Sequence, residues 1–568
     1  MQAELISRDG GARICRIEEN GKKLKTPCIA IVVNPNKMVL SIKELKKAGV
    51  ELIIANAYIL SKSKFREEIE KKGLHKFFKW KGFIYTDSGT YQMFSRGVRH
   101  IDNANMVEFQ KRIGSDFITP VDVFTSPEDD FQIAEKKLEE TVKRIEQTSA
   151  LTEKFVFPVQ GGAHVELRKR ACRIANRFQP RVFAIGGIVP LMNAYAYAKL
   201  VEIILTCKTV LKPNIPVHAF GAGHAITFAL LACCGVDIFD SAMYALAAQE
   251  GRYLTPYGTK HLNELQEFPC SCEVCSKYAP AEVREMSEAE REKLLAKHNL
   301  YVTLEEIKLI RQAIAENSLF ELVQTRVRAH PSLLKAFLFM LRKYKRYFLE
   351  HDVFPKPRAI FYGGRETLLR PEIAKAKQKL RNVRARPRER VKRLGFGKIP
   401  KDLLAAYPFL HFQGLEEFEE PEINWKRYFR LLLDYQFGKG ASECIKNFEL
   451  EFTKTKKPRF VRVGRRRIGT ISASTGFFIP NIWGAKMLEG CMKKVVVKRE
   501  AEEFVRKGRN LLAKFALPKD RIYPGEEVLI VTGEGETIAC GKAVLNSREM
   551  KYFTRGVAVK VRDWLKPS

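Results

Sequence analysis

Eight short apolar runs rich in β-branched residues recur through the first 245 residues, each closing on a small or polar residue and each followed by helical patterning. The first four are Cys28–Asn34, Glu51–Ala57, Gly82–Gly89 and Phe117–Asp122. The second four are Phe155–Gly161, Val182–Gly187, Pro216–Gly223 and Val236–Ser241. Segments such as Glu128–Thr148 and Asn193–Lys208 lie between them with helical spacing. Continuous apolar runs predict strands buried on both faces, and their alternation with helices predicts a parallel sheet. Eight such units predict an α/β fold of the closed (β/α)8 TIM-barrel type rather than an open doubly wound sheet.

After Leu300 the pattern turns helical and charged, with amphipathic helices expected at Val302–Asn317 and Ser332–Glu350. Residues 379–400 are basic and punctuated by Pro and Gly, which reads as a long loop between domains. An acidic patch follows at Glu416–Glu422, and the last 75 residues alternate apolar runs with turn signals, as a small β-rich module would. The expected organisation is a barrel over residues 1–345 with a zinc-binding insertion, a helical domain with a basic linker over 346–418, an α+β domain over 419–490, and the β-rich module over 491–568.

The polar residues of the barrel runs gather at their C-terminal ends: Asp87, Asp122, Gln160, Gly186, Gly187, His218 and Asp240. In a barrel those ends converge on one mouth, where active sites are built. A single strand-end Asp is often a cap for the next helix. Three carboxylates and a glutamine converging there point instead to a site.

Charge narrows the class of partner. The 568 residues carry a formal charge of +34, and roughly +22 of it falls in residues 351–568. Such an excess favours a polyanion, most often nucleic acid. The N-terminal stretch MQAELISRDGGAR has no apolar signal region, and the longest apolar run, Ala225–Phe239, is too short for a bilayer, so a cytoplasmic protein without membrane contact is expected. Of the twelve cysteines, Cys172, Cys207, Cys233 and Cys234 sit in apolar settings and read as reduced core residues. Cys270, Cys272, Cys275 and His298 are different: C-x-C-x2-C-x22-H is a Cys3His set suited to tetrahedral Zn2+. Four protein ligands leave no open position, so the zinc is expected to be structural.

Several motifs resemble the tRNA-guanine transglycosylases, and the archaeal branch in particular. They are TDSGTYQ (Thr86–Gln92), SDFITPVDVFTSP (Ser115–Pro127), VQGG (Val159–Gly162), AIGGIVPLM (Ala184–Met192), HAFGAGH (His218–His224) and GVDIFDSAMYAL (Gly235–Leu246), together with the CSCEVC zinc cluster. The resemblance continues through YQFGKGAS (Tyr435–Ser442) and GAKML (Gly484–Leu488) into a stretch resembling a PUA domain at about Lys493–Arg562. It departs at Gly162, where the family usually has Ser or Thr, and at Ser95–Gly97.

The resemblance implies exchange of a guanine in the tRNA D-arm, at position 15, for 7-cyano-7-deazaguanine, a step toward archaeosine. It implies Asp240 as the nucleophile that forms a ribosyl-enzyme intermediate and Asp87 as the acid/base, a carboxylate pair suited to retaining displacement. It further implies base binding by Asp122, Gln160, Gly186, Gly187, Ser88 and a stacking Tyr91, and a homodimer. Asp237, three residues before Asp240, reads as structural, and Arg462–Arg467 and Lys493–Arg499 are candidate phosphate contacts. Two rivals stand beside this reading. One is an archaeosine synthase-like paralogue of the same fold, the other a non-catalytic tRNA-binding protein. The intact carboxylates weigh against both, and a saturated zinc site weighs against a metallohydrolase.

Overall fold

The structure is a computed structural model that describes residues 3–90, 101–409, 411–414 and 421–566. The chain divides into two compact units, Met1–Ser7 with Ala12–Met340, and Arg8–Gly11 with Leu341–Ser568.

The chain opens with a three-stranded sheet, β1 (Ala3–Asp9), β2 (Ala12–Glu19) and β3 (Lys22–Lys25). The barrel follows: β4 (Cys28–Val33), β5 (Leu52–Asn56), β6 (Phe83–Asp87), β7 (Phe117–Ile118), β8 (Val156–Val159), β9 (Val182–Ile185), β10 (Val217–Ala219) and β11 (Ile238–Ser241). These form one parallel sheet in the order β7-β6-β5-β4-β11-β10-β9-β8, and a parallel bridge between Ile118 and Phe155 joins its two ends. The predicted (β/α)8 barrel is therefore present, closed where the shortest strand meets β8. The strands are almost wholly buried, as runs without polar alternation require.

The observed strands are shorter than the apolar runs, and the trimmed residues lie mainly at their C-terminal ends. The run Phe117–Asp122 pairs only through Ile118, because Pro120 has no N–H to donate to a ladder. Side chains replace the missing ladder: Gln110 Nε2 donates to Thr119 O at 2.9 Å, and Val121 N donates to Asn103 Oδ1 at 3.0 Å. The chain carrying Asp122 is thus held by the helix Asn103–Arg112 rather than by a strand.

At the opposite end of β11, Asp237 accepts from Arg13 Nε and Nη2, both at 2.8 Å, and from Val217 N at 2.9 Å. That pairing is structural in kind and sits at the strand's N-terminal end, away from the mouth. Beyond the barrel, a hairpin (Arg252–Thr255 with Gly258–His261) precedes the cysteine cluster, and the helix Glu288–Glu316 begins well before the predicted Val302.

In the second unit the expected helix Ser332–Glu350 is two helices, Pro331–Lys343 (which begins in the first unit) and Lys345–His351. The expected loop 379–400 instead carries an antiparallel hairpin, Arg390–Arg393 with Gly397–Pro400. Its Val383, Phe396 and Ile399 are buried in the core, which the density of Arg and Lys conceals in sequence. A four-stranded antiparallel sheet (Glu449–Phe452, Pro458–Val463, Arg466–Ile471, Phe478–Pro480) and a six-stranded sheet within residues 493–564 complete the unit. Among the described residues, no helix is long and apolar enough to cross a membrane.

Candidate active site

Three carboxylates arrive at the mouth on three different elements. Asp87 ends β6, opposite Asn56 at the end of β5, and accepts from Asn56 Nδ2 at 2.8 Å and from Gly89 N at 3.3 Å. Burial is the main force on its carboxyl, with the charges of Asp122 and Asp240 adding to it against those two hydrogen bonds. The result is a pKa pushed up to about 7, so Asp87 can hold a proton near neutrality and give it up again.

Asp240 lies on β11, opposite Ala30 of β4, and its Oδ1 has two partners. Gly221 N donates to it at 2.6 Å and His218 Nε2 at 2.8 Å. A carboxylate only accepts, so the His218 proton sits on Nε2 when the ring is neutral, leaving Nδ1 to accept from Tyr85 OH at 3.3 Å. His218 is fully buried, stacked on Phe220 at 4.5 Å between centroids. Tyr85 is fully buried too, and burial together with the charges of Asp240 and Asp87 holds its phenol well above the usual range, so it stays an O–H donor. Asp240 is thereby fixed in one orientation, with Oδ2 outside this pair of bonds.

Asp122 accepts from Gln160 Nε2 at 2.5 Å, and burial raises its carboxyl above the ordinary range against that bond and one from Thr90. Gln160 is buried, and its Oε1 has no hydrogen-bond partner among the described residues. The Gly186–Gly187 turn packs close against the Gln160 amide: a Cβ on Gly186 would meet Gln160 Nε2 at 2.5 Å. One on Gly187, whose φ is +69°, would meet Thr125 O at 2.6 Å. Gly187 admits only glycine, and a side chain at Gly186 would displace the Gln160 amide. Ser88 is buried and shares a hydrogen bond with Thr90 Oγ1 at 3.1 Å.

The structure thus brings Asp87, Ser88, Asp122, Gln160, Gly186, Gly187 and Asp240 to one end of the barrel. Tyr91 and the Ser95–Gly97 departure lie outside the described residues. His218 and Asn56 contact the two catalytic candidates directly, roles that the sequence does not mark. His218 was at least visible as a strand-end polar residue, whereas Asn56 carries only the signal of a helix cap, which it also is.

Away from the mouth, the side chains of Cys270, Cys272, Cys275 and His298 place one ligand atom each within 4.8 Å of one another. Cys272 Sγ and Cys275 Sγ are 3.5 Å apart, and His298 Nδ1 is 3.5 and 3.3 Å from them. The other ring nitrogen, His298 Nε2, donates to Leu254 O at 2.9 Å, which orients the ring with Nδ1 toward the thiols. Tyr253 stacks on the imidazole at 3.7 Å. A soft, four-donor cluster of this size fits one tetrahedral metal ion.

Comparison with known proteins finds similarity along the length of the chain. A family model described as queuine tRNA-ribosyltransferase matches residues 9–332, one for the patch-forming domain C2 of tRNA-guanine transglycosylase matches 427–494, and one for the PUA domain matches 493–565. The tRNA-guanine(15) transglycosylase of Pyrococcus furiosus is 42% identical over 99% of this chain and 98% of its own length. Proteins of the same name from Thermococcus kodakarensis and Methanocaldococcus jannaschii are 40% and 37% identical, each over at least 98% of both chains. A barrel with acids at its mouth, a Cys3His cluster beyond it and a PUA domain at its end, aligned from end to end with these enzymes, belongs to the tRNA-guanine transglycosylase family.

Proposed function

We infer that this chain exchanges guanine at position 15 of tRNA for 7-cyano-7-deazaguanine, in archaeosine synthesis, through a covalent ribosyl-enzyme intermediate. The observation that carries this reading is the division of labour among three mouth carboxylates. One is oriented by His218 and Gly221, one is held near neutral pKa, and one is joined to Gln160.

In the first half, an Asp240 oxygen attacks C1′ of the nucleotide as the C1′–N9 bond breaks, and the bonding pair passes to N9. Asp87, protonated near neutrality, supplies the proton to the departing guanine. In the second half, N9–H of the incoming 7-cyano-7-deazaguanine returns a proton to Asp87, N9 attacks C1′, and the bond to Asp240 breaks. Two inversions retain the ribose configuration. Both bases share the guanine edge, with N1–H and N2–H2 as donors and O6 as acceptor. Asp122 suits the donors, and the Gly187 N–H, which has no acceptor among the described residues, suits O6. Ser88 and Tyr91 are read as further base contacts, Tyr91 by stacking.

The metal is read as one structural Zn2+ on Cys270, Cys272, Cys275 and His298, which would tie the hairpin 252–261 to the helix Glu288–Glu316. The basic second unit is read as the tRNA-holding part, and a homodimer as the working assembly.

The test is incorporation of radiolabelled 7-cyano-7-deazaguanine or guanine into unmodified tRNA, with the modified nucleotide mapped in the product. Label at position 15, and its loss in Asp240→Ala together with the denaturation-resistant RNA adduct, is the expected result. A wild-type enzyme that fails to incorporate label would defeat the reading, and an adduct surviving in Asp240→Ala would defeat the nucleophile assignment.

A further inference from the structure

Arg168 is a feature of the barrel top that the reaction leaves without a role. It lies on the helix Val165–Ala175 and is fully buried. No described carboxylate pairs with it. Its guanidinium instead donates to three backbone carbonyls: Nε to Gly162 O at 2.9 Å, Nη1 to Val159 O at 2.5 Å, and Nη2 to Gly186 O at 2.9 Å. A buried cation without an anion is costly, and a fold that needed only packing here would be served by an apolar side chain of the same volume.

The three carbonyls identify what the charge serves. Val159 and Gly162 flank Gln160, and Gly186 precedes Gly187. A trans peptide is planar, so drawing the Gly186 oxygen toward Arg168 turns the N–H of Gly187 to the opposite side. That N–H has no acceptor among the described residues. The same fork ties the β8 and β9 ends together, beside the 3.3 Å bond from Gly186 N to Val159 O. Glycine lets the helix carrying Arg168 come this close: a Cβ on Gly161, whose φ is +137°, would lie 3.0 Å from Arg168 N.

We propose that Arg168 is a positioning residue for base selection, holding the Gln160 and Gly186–Gly187 backbones so that the Gly187 N–H meets the 6-oxo group of the exchanged base. This rests on the reading of Asp122, Gln160 and Gly187 as the base-binding edge.

The test compares guanine with 6-thioguanine, whose sulfur is the weaker acceptor, as competing substrates in wild type, Arg168→Lys and Arg168→Met, with thermal unfolding of each measured in parallel. A ratio of kcat/KM for two substrates does not depend on the fraction of protein that folds. In Arg168→Met the wild-type preference for guanine is expected to narrow about two- to fivefold, the share of one hydrogen bond by which oxygen exceeds sulfur as acceptor, with KM for the base raised and KM for tRNA held. Arg168→Lys, keeping the charge but not the fork, is expected to fall between the two. A preference unchanged in both variants, or activity lost in proportion to folded protein alone, overturns the proposal. Asp122→Asn and Gln160→Ala separate the two failures. If these leave base KM and preference untouched, the base-binding reading falls. If they alter both while Arg168→Met does not, only the role of Arg168 falls.

Discussion

Asp87 shows how one environment supplies both chemistry and a cost. In an unfolded chain its carboxyl ionises near 3.8, and in the fold near about 7. The folded state therefore holds an extra proton between those values, and this group's contribution to stability falls as pH rises through that window. Asp87→Asn removes the penalty. Its Tm is expected to exceed that of wild type at pH 8, with the gap closing toward pH 4, while base exchange drops by about 10²–10⁴-fold. In wild type the rate of adduct formation from tRNA should decline as pH rises above about 7, because guanine departure needs the protonated acid. Melting curves across pH and single-turnover adduct assays check the two halves, and an Asn variant less stable than wild type at pH 8 would contradict the first.

At the scale of elements, the barrel separates work between its ends. At one end Arg13 and Asp237 tie β2 to the start of β11; at the other, short strands give way to side-chain and backbone clamps that place Asp122, Gln160 and Gly187. The Cys3His cluster is a clamp of the same kind, since His298 also binds Leu254 O of the hairpin. If its metal is structural, Cys275→Ser should release bound zinc and lower Tm by about 5–10 °C. Exchange activity per folded molecule at low temperature should be unchanged. Metal analysis with calorimetry measures the first, and a large fall in kcat without a fall in Tm would argue for a catalytic metal instead.

For the whole molecule the charge is the dominant property, and the structure sorts it. Arg462 and Arg467 are paired with Glu451, Lys493 with Glu526 and Lys494 with Glu489. Arg465 and Arg466 are exposed at the turn of the four-stranded sheet, with Arg466 stacked over the exposed Trp483 at 4.5 Å. Cation and aromatic together suit an RNA backbone better than a charge run on its own. Arg465→Ala/Arg466→Ala is expected to weaken tRNA binding and reduce the slope of log Kd against log salt by about 1–2, with guanine binding unaffected. Titrations at several salt concentrations decide it, and an unchanged slope would move the contact elsewhere on this unit.

Periodicity alone was enough for the barrel, because parallel strands buried on both faces have no polar alternation to confuse the reading and their number fixes closure. Spacing was enough for the cluster at Cys270, Cys272 and Cys275, since nearby thiols have few other uses. The end of β7 has a local mark in Pro120, but the hairpin hidden in residues 379–400 was not legible, because its Val383, Phe396 and Ile399 stand among Arg and Lys and are buried only by the distant residues of the core they join. The same holds within the site. Asp87, Asp122 and Asp240 announced themselves as acids ending apolar runs, but nothing local marks Asn56 as the partner of Asp87. Arg168, in the run VELRKRACR, looks like its solvated neighbours. Sequence determined which chemical groups stand at the mouth, because strand ends in a barrel must converge. Tertiary structure alone decided their partners, protonation and aim, because burial, fields and hydrogen bonds arise only once separate strands are brought together.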